Sequence, residues 1–417
     1  MADAPSTVAT LNGLFKEVYP EGIRDLIPNG TKVQKLIKFV PATKELGKQY
    51  NQPVTLAYPN GFTFLAAGAG VTTLKDANTG TMKNAALDGS QIILREQMDY
   101  EAAAKSARGR NSFMDGTKLM FKNMQMSMRK RVEVELLYGG GGDAGVGLGQ
   151  VASISSNTLT FTAASWAPGI WSGLEGSAVT VNNGTSTTER GTSTITAVDI
   201  EARTVTLASA PGGTATNDVV YYENAYPSGG SQEMTGIHKI LANSGSLFGI
   251  SASSYSLWKS VSYAVGSVAL TFSKVRKAIS LAVAKGLDDD CTLLVNPKTW
   301  DNLMDDLAAL RRFVEKGGKG ASYQIGAEEI IFFSQNGKIA VVPSIYVKEG
   351  FAYGLCAEDW VRPGAADVTF NTPGSSKDEI FFHLPTKNGF EARAYTDQAV
   401  FCEAPGRQFL MTGIVNS

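Results

Sequence analysis

Between Ser112 and about Tyr138, apolar residues recur at three- and four-residue spacings: Phe113, Met120, Phe121, Met124, Met128 and Val132. That period puts them on one stripe and predicts a single helix, roughly 40 Å long at 1.5 Å per residue. A second amphipathic helix is predicted over Ser273–Lys285 (Val275, Ile279, Ala282, Val283), stopped by Gly286. The apolar run Cys291–Val295 reads as a strand, after which Asn296-Pro297 caps and opens a helix running to about Phe313. Further strands are predicted at Glu329–Phe333, Lys338–Val342, Ala352–Cys356, Glu379–His383 and Phe390–Val400.

The pattern changes in mid-chain. No lysine lies between Lys130 and Lys239, and Gln150–Ala225 is rich in Ser, Thr, Val and Gly. Short alternating runs at Thr158–Thr162, Ser193–Val198, Thr204–Leu207 and Asp218–Tyr222 predict strands, with turns at Asn183-Gly184 and Gly212-Gly213. This is a small all-β module. Gly139–Gly142, with Gly145, Gly147 and Gly149, borders it on one side and Pro227–Gly230 on the other, as hinges of an inserted domain would.

Residues 50–105 have weak periodicity. Strands are predicted at Pro53–Tyr58, Gly61–Leu65 and Gln91–Arg95. Gly68–Gly89 between them is poor in large apolar residues and cannot pack a core of its own. An extended two-stranded flap is expected, and such a flap needs something to lean on, such as a neighbouring subunit.

With 417 residues, two or three domains fit, and 43% hydrophobic against 18% charged residues supplies a large core. A formal net charge of -1 argues against a dedicated nucleic-acid binder, while leaving room for one basic face. Arg129-Lys-Arg131 is read as complementing the helix dipole on a solvated face, in preference to contacting a nucleic-acid backbone. No apolar run approaches the ~18 residues that span a bilayer, and the first residues lack a signal peptide's pattern, so a soluble protein of a reducing cytoplasm is expected. Cys291, Cys356 and Cys402 are read as buried small hydrophobes without a disulfide or metal role.

Catalytic patterns are missing. HExxH, CxxC and GxSxG do not occur, and His238 and His383, the only histidines, are read as structural. Gly140, Gly142 and Gly145 form a formal GxGxxG, but a helix precedes it and strands follow, the reverse of a dinucleotide site. Gly317-Gly-Lys-Gly320 is not a Walker A loop, and Asp288–Asp290 reads as a solvated loop. Asn29-Gly-Thr31 and Asn183-Gly-Thr185 read as turns, not glycosylation sites. No catalytic, cofactor-binding or metal residues are assigned, and no enzyme activity is expected.

An arm, a flap that cannot fold alone, a very long helix and a compact α+β region resemble the major capsid proteins of tailed bacteriophages, with the Hong-Kong-97-like fold. Lys44–Val54 is similar to the start of that family's extended loop, and Ser112–Tyr138 to its spine helix. Leu293–Leu303 resembles the strand–Asn-Pro–helix of its axial domain, with Val341–Ser344 and Gly350–Leu355 its later strands and Glu391–Val400 its return strand. The resemblance implies an α+β chain with an N-terminal arm at 1–49 and an extended loop at 50–105. It implies a peripheral domain of 106–145, 227–262 and 401–417 containing the spine helix 112–138, an all-β insertion at 146–226, and an axial domain at 263–400.

By the same resemblance, the chain self-assembles as pentamers and hexamers into an icosahedral virion shell around double-stranded DNA, touched non-specifically. A separate scaffolding protein, a portal and a decoration protein are the implied partners; no cofactor and no membrane are implied, and assembly is expected in the host bacterial cytoplasm. An encapsulin-like compartment shell, a β-rich tail or adhesin component, and a hydrolase with an unrecognised triad stand as alternatives.

Overall fold

A computed structural model describes residues 27–28, 30–41, 50–102, 116–141, 145–184, 188–227, 230–306, 330–333, 335, 337–371 and 380–416. Residue contacts divide the chain into a smaller unit (residues 1–27, 94–126 and 370–394) and a larger one (28–93, 127–369 and 395–417).

In the larger unit, Gly149–Ser155, Thr158–Phe161, Ala178–Asn182, Glu189–Asp199, Thr204–Leu207 and Val219–Tyr222 close into a six-stranded antiparallel barrel. Closure removes both sheet edges, so a module of short Ser/Thr-rich strands leaves no ladder unpaired. Alternation turns Leu159 and Phe161, and Val205 and Leu207, inward. Trp166 and Trp171 stack at 5.7 Å, and Phe161 lies 4.5 Å from Trp171. These three buried aromatics pack the barrel's interior, which is continuous with the core of the larger unit through residues such as Tyr138, Tyr346 and Val347.

A second, mixed sheet has the strand order Val261–Val268, Phe409–Ile414, Phe351–Leu355, Cys291–Val295, Lys338–Pro343, Ile330–Phe333. Helix Phe272–Val283 buries Val275, Ala278, Ile279 and Ala282 in one core with Leu293, Val295, Phe409 and Met411. The chain leaves this helix through Gly286, whose φ of +98° is costly for a residue with a Cβ. Helix Pro297–Asp305 starts as the sequence predicts: Asn296 Oδ1 accepts the Lys298 N–H at 3.0 Å, and Pro297 fills the first turn. It ends at Asp305, where Asp306 is extended, short of the predicted end near Phe313; residues 307–313 and the Gly317–Gly320 loop lie outside the described residues.

Phe409–Ile414 is an inner strand of this sheet. Trp360–Thr369 pairs with Phe39–Pro41 in parallel and with Gly389–Gln398 and Phe401–Cys402 in antiparallel. A strand's burial is legible from its apolar run, but its pairing partner, distant in sequence, is not.

The cysteines are also corrected. Cys291 and Cys356 face each other across neighbouring strands, Cα atoms 4.4 Å apart, and are joined as a disulfide; Cys402 is free and buried.

The long helix is Gly116–Tyr138. Met120, Met124, Met128 and Val132 are buried, as the periodicity predicts, and from Val132 to Tyr138 the helix is buried all round. Phe113 and Ser112 fall outside the described residues.

In the smaller unit, Phe381–His383 pairs with the start of Gly389–Gln398, bringing His383 opposite Phe390. Phe121 meets Phe370 and Phe381 edge-on at 5.0 and 5.4 Å. Glu391 accepts from Arg393 Nε at 2.6 Å and Gln97 Nε2 at 3.1 Å and lies 3.0 Å from Arg95 Nε.

Candidate assembly surface and its buried anchor

The flap is a hairpin of Tyr50–Ala57 and Thr81–Leu87, registered Tyr50↔Leu87 and Asn51↔Ala86 at its base. The base is held. Ala85 and Leu87 are buried, the Ala86 N–H donates to Phe248 O at 3.0 Å, and Tyr50 meets Phe401 at 5.7 Å. Beyond Ala57 the strands stop. Residues 58–80 touch mainly one another, through Asn60 N–H to Asn78 O at 3.1 Å and Lys75 N–H to Thr63 Oγ1 at 2.9 Å.

Tyr58 is 85% exposed and Phe64 91%, with Phe62, Leu65 and Leu74 exposed beside them. The strand expected over Gly61–Leu65 does not form. Among the described residues no strand lies alongside to take its backbone groups, and its two phenylalanines, 6.4 Å apart, are exposed. Contiguous exposed aromatics rimmed by polar residues mark a surface made to be covered.

The arm is anchored by two charges. Glu133, buried on the long helix, accepts the N–H groups of Lys32 (2.7 Å), Val33 (2.8 Å) and Gln34 (3.0 Å). These are orphan donors at the start of the turn Val33–Leu36, which a carboxylate suits by charge and geometry. At the other end Arg362 Nε donates to Ile37 O at 2.8 Å. Burial raises the Glu133 carboxyl above its ordinary pKa, against the pull of the three N–H groups and Arg362.

A second buried cluster joins the long helix, the barrel and the segment Ser344–Gly350. Lys348, fully buried, donates from Nζ to the carbonyls of Gly145 (2.8 Å), Val146 (3.3 Å) and Gly147 (3.0 Å) and sits 4.1 Å over the Tyr138 ring. Backbone bonds run alongside: Gly169 N–H to Ile345 O, Glu349 N–H to Trp166 O and Gly350 N–H to Ala164 O, each 3.0 Å. Burial pulls the Lys348 pKa down to about 7, partly opposed by Glu233. Glu233 is itself pushed up to about 8 by burial and by Glu135. Glu135 accepts from Ser90 Oγ at 2.7 Å and from the Met234 N–H at 2.8 Å.

The glycines beside this cluster are not loose hinges. Gly139–Gly141 and Gly145–Gly149 are buried. A Cβ on Gly145 would run into the His238 ring, and one on Gly141 into Tyr226. At Gly145 glycine is required because side chains fill the space, while Gly140, Gly141 and Gly147 also hold positive φ of +102°, +55° and +69°.

The candidate chemistry disperses. His238 is buried, its Nδ1 2.9 Å from Tyr353 Oη, and burial with the nearby Lys348 charge drives its pKa down to about 3. It lies in the larger unit, His383 in the smaller. Asp290 accepts the Lys338 N–H at 2.7 Å, and Asp289 lies 3.5 Å from Arg407. Among the described residues no group of three or more His, Cys, Asp and Glu could hold a metal ion. Among the described residues no helix is long and apolar enough to cross a membrane. Gly142 of the GxGxxG pattern and Asn29 are outside the described residues.

The basic run divides. Arg129 is exposed, whereas Lys130 donates to Ser172 O and Arg131 lies over the Tyr222 ring. Sequence reasoning missed Glu133, Glu135 and Lys348, since a charge buried by tertiary structure looks like any other charge in the chain. The only available signal was Glu133 and Glu135 sitting among Val132, Val134 and Leu136.

No protein-family model matches the chain, and no curated protein matches it. Solved structures do. A capsid chain from the asymmetric unit of cyanophage A-1(L) aligns at a TM-score of 0.57 with 13% identity, covering 98% of this chain and 99% of that one. The capsid chain of the native GTA particle aligns at 0.53 with 9% identity, covering 99% and 100%. That of the empty GTA particle aligns at 0.51 with 9% identity, again covering 99% and 100%. The chain therefore has the α+β, Hong-Kong-97-like fold of capsid subunits over essentially its whole length.

Proposed function

We propose that this chain is a major capsid protein that self-assembles, as pentamers and hexamers, into the icosahedral head shell around a phage double-stranded DNA genome. The observation that carries the reading is the flap: a firmly docked base with an aromatic tip that its own subunit does not cover. The likeness of fold to capsid chains over the full length supports it. The role is structural, not enzymatic. Residues 50–105 are the extended loop, the Val261–Ile414 sheet with its two helices the axial region, and the barrel an insertion carried on the shell. A scaffolding protein, a portal and a decoration protein are the partners this role calls for, with assembly in the host cytoplasm.

Tips exchanged between neighbours would bury surface that a monomer leaves wet, and many modest contacts would add through avidity. The test is expression of the chain alone and with its neighbouring genes, read by sedimentation and negative-stain electron microscopy. Closed shells, or rings of five and six, are expected. A monodisperse monomer under every condition overturns the reading. Closed shells that load a protein cargo and exclude DNA would move it to an encapsulin-like compartment.

A further inference from the structure

Two stretches of this near-neutral chain carry cations and no acids. Residues 28–41 contain Lys32, Lys35 and Lys38 without one Asp or Glu, and residues 116–132 contain Lys118, Lys122, Arg129, Lys130 and Arg131, again without one. The fold brings parts of both together. Gln34 Nε2 donates to Arg129 O, and the three N–H groups of Lys32, Val33 and Gln34 close on Glu133, one helical turn beyond Arg129.

The cations then sort by direction. Lys130 and Arg131 turn inward, to Ser172 O and the Tyr222 ring. Lys32, Lys35, Lys38 and Arg129 are exposed, and among the described residues no ion pair engages their side chains. The two acids bonded into this region are spoken for: Glu133 is buried under the arm, and Asp367 is 3.2 Å from Arg362.

We infer that Lys32, Lys35, Lys38 and Arg129 form a strip that docks the phosphate backbone of double-stranded nucleic acid. Four solvated point charges beside Gln34 make a surface that reads charge and not sequence. The large apolar side chain exposed beside these charges is Val40, at 47%, far less than a protein partner would need at the centre of its interface. The arm turn is pinned at both ends by Glu133 and Arg362, so three of the four charges sit on backbone already ordered before binding. The inference takes its biological setting from the capsid reading, as the wall against which a genome lies, but its test does not need a shell.

The experiment uses the full chain and a fluorescein-labelled 40-base-pair duplex of random sequence, with affinity read by anisotropy between 50 and 200 mM salt. The variant is Lys32→Gln, Lys35→Gln, Lys38→Gln and Arg129→Gln together. A charge-matched control carries Lys259→Gln, Arg276→Gln, Lys277→Gln and Lys387→Gln. Each phosphate neutralised contributes about 3.5-fold to the loss of affinity over that fourfold salt range. The variant's salt dependence should therefore shrink by about two orders of magnitude, with the control like the parent.

Equal weakening of both sets would mean that overall charge alone matters, and would overturn the inference. Unchanged DNA binding in the variant would also overturn it, and loss of binding to an acidic co-expressed protein would then reassign the strip to a protein partner. Shells that form while the strip proves inert leave the capsid reading standing without this inference. A strip that binds DNA on a chain that never assembles does the reverse.

Discussion

The flap tip and the inserted barrel are both rich in Gly, Ala and Thr, and they meet opposite fates. In the barrel, six short strands close on themselves, and Phe161, Trp166 and Trp171 vanish from solvent. In the tip, residues 58–80 have no strand alongside among the described residues, and Tyr58, Phe62 and Phe64 stay in water. The difference is topological as well as compositional: the barrel strands carry Val179, Val181, Val205, Val219 and Val220, and the tip carries only Val71. A closed ladder lets a chain bury its own aromatics, whereas the far end of a two-stranded hairpin can bury them only in another molecule.

That contrast can be broken most sharply at the tip. Phe62→Asp with Phe64→Asp should abolish particle formation in sedimentation and electron microscopy. The unassembled subunit's unfolding free energy should stay within about 0.5 kcal/mol, because both side chains are exposed there. The barrel should respond the other way. Trp171→Ala removes a fully buried ring stacked on Trp166 and packed against Phe161, and should cost about 3–5 kcal/mol in urea unfolding of the free subunit.

A smaller effect is expected where the barrel joins the body. Gly145→Ala drives a methyl into the His238 ring and should cost about 1–3 kcal/mol, with the long helix intact by circular dichroism.

Acid titration sharpens the same junction. His238 is held neutral, its pKa depressed to about 3, so the unfolded chain binds a proton that the fold refuses between about 6.5 and 3. Its contribution is complete above pH 6.5 and lost as pH falls, by about 1.4 kcal/mol per unit inside that window. Glu133, Glu135 and Glu233 are raised and act with the opposite sign, holding protons in the fold that the unfolded chain has released above pH 4.5. The difference between parent and His238→Gln therefore isolates the histidine. The variant should lose less stability than the parent on going from pH 6.5 to 4.5.

Much of this was legible in the chain. The Asn296-Pro297 helix start, the Gly286 stop and the Met120–Met124–Met128–Val132 stripe are local signals written within one or two turns, and they stand as predicted. The unpackable flap was legible from composition, although Gly61–Leu65 looked like a strand because alternation says nothing of whether a partner is present. The buried anchors were not legible. Lys348 reaches carbonyls 201 to 203 residues away, and Glu133 caps a turn 99 to 101 residues upstream. The glycines at 139–149 looked like a linker because sequence cannot distinguish a glycine needed for freedom from one needed for space. Cys291 and Cys356 face each other only once two strands, 65 residues apart, have paired.

The central claim is that the tip of the flap obtains from a neighbouring subunit the burial that the barrel finds within itself. Amide hydrogen exchange on the free subunit and on purified particles measures this directly. Residues 58–80 should exchange fast in the subunit and slowly in the particle, while the barrel strands between Gly149 and Tyr222 stay equally protected in both. A tip already protected in the free subunit, or one that still exchanges fast in closed particles, would contradict the account.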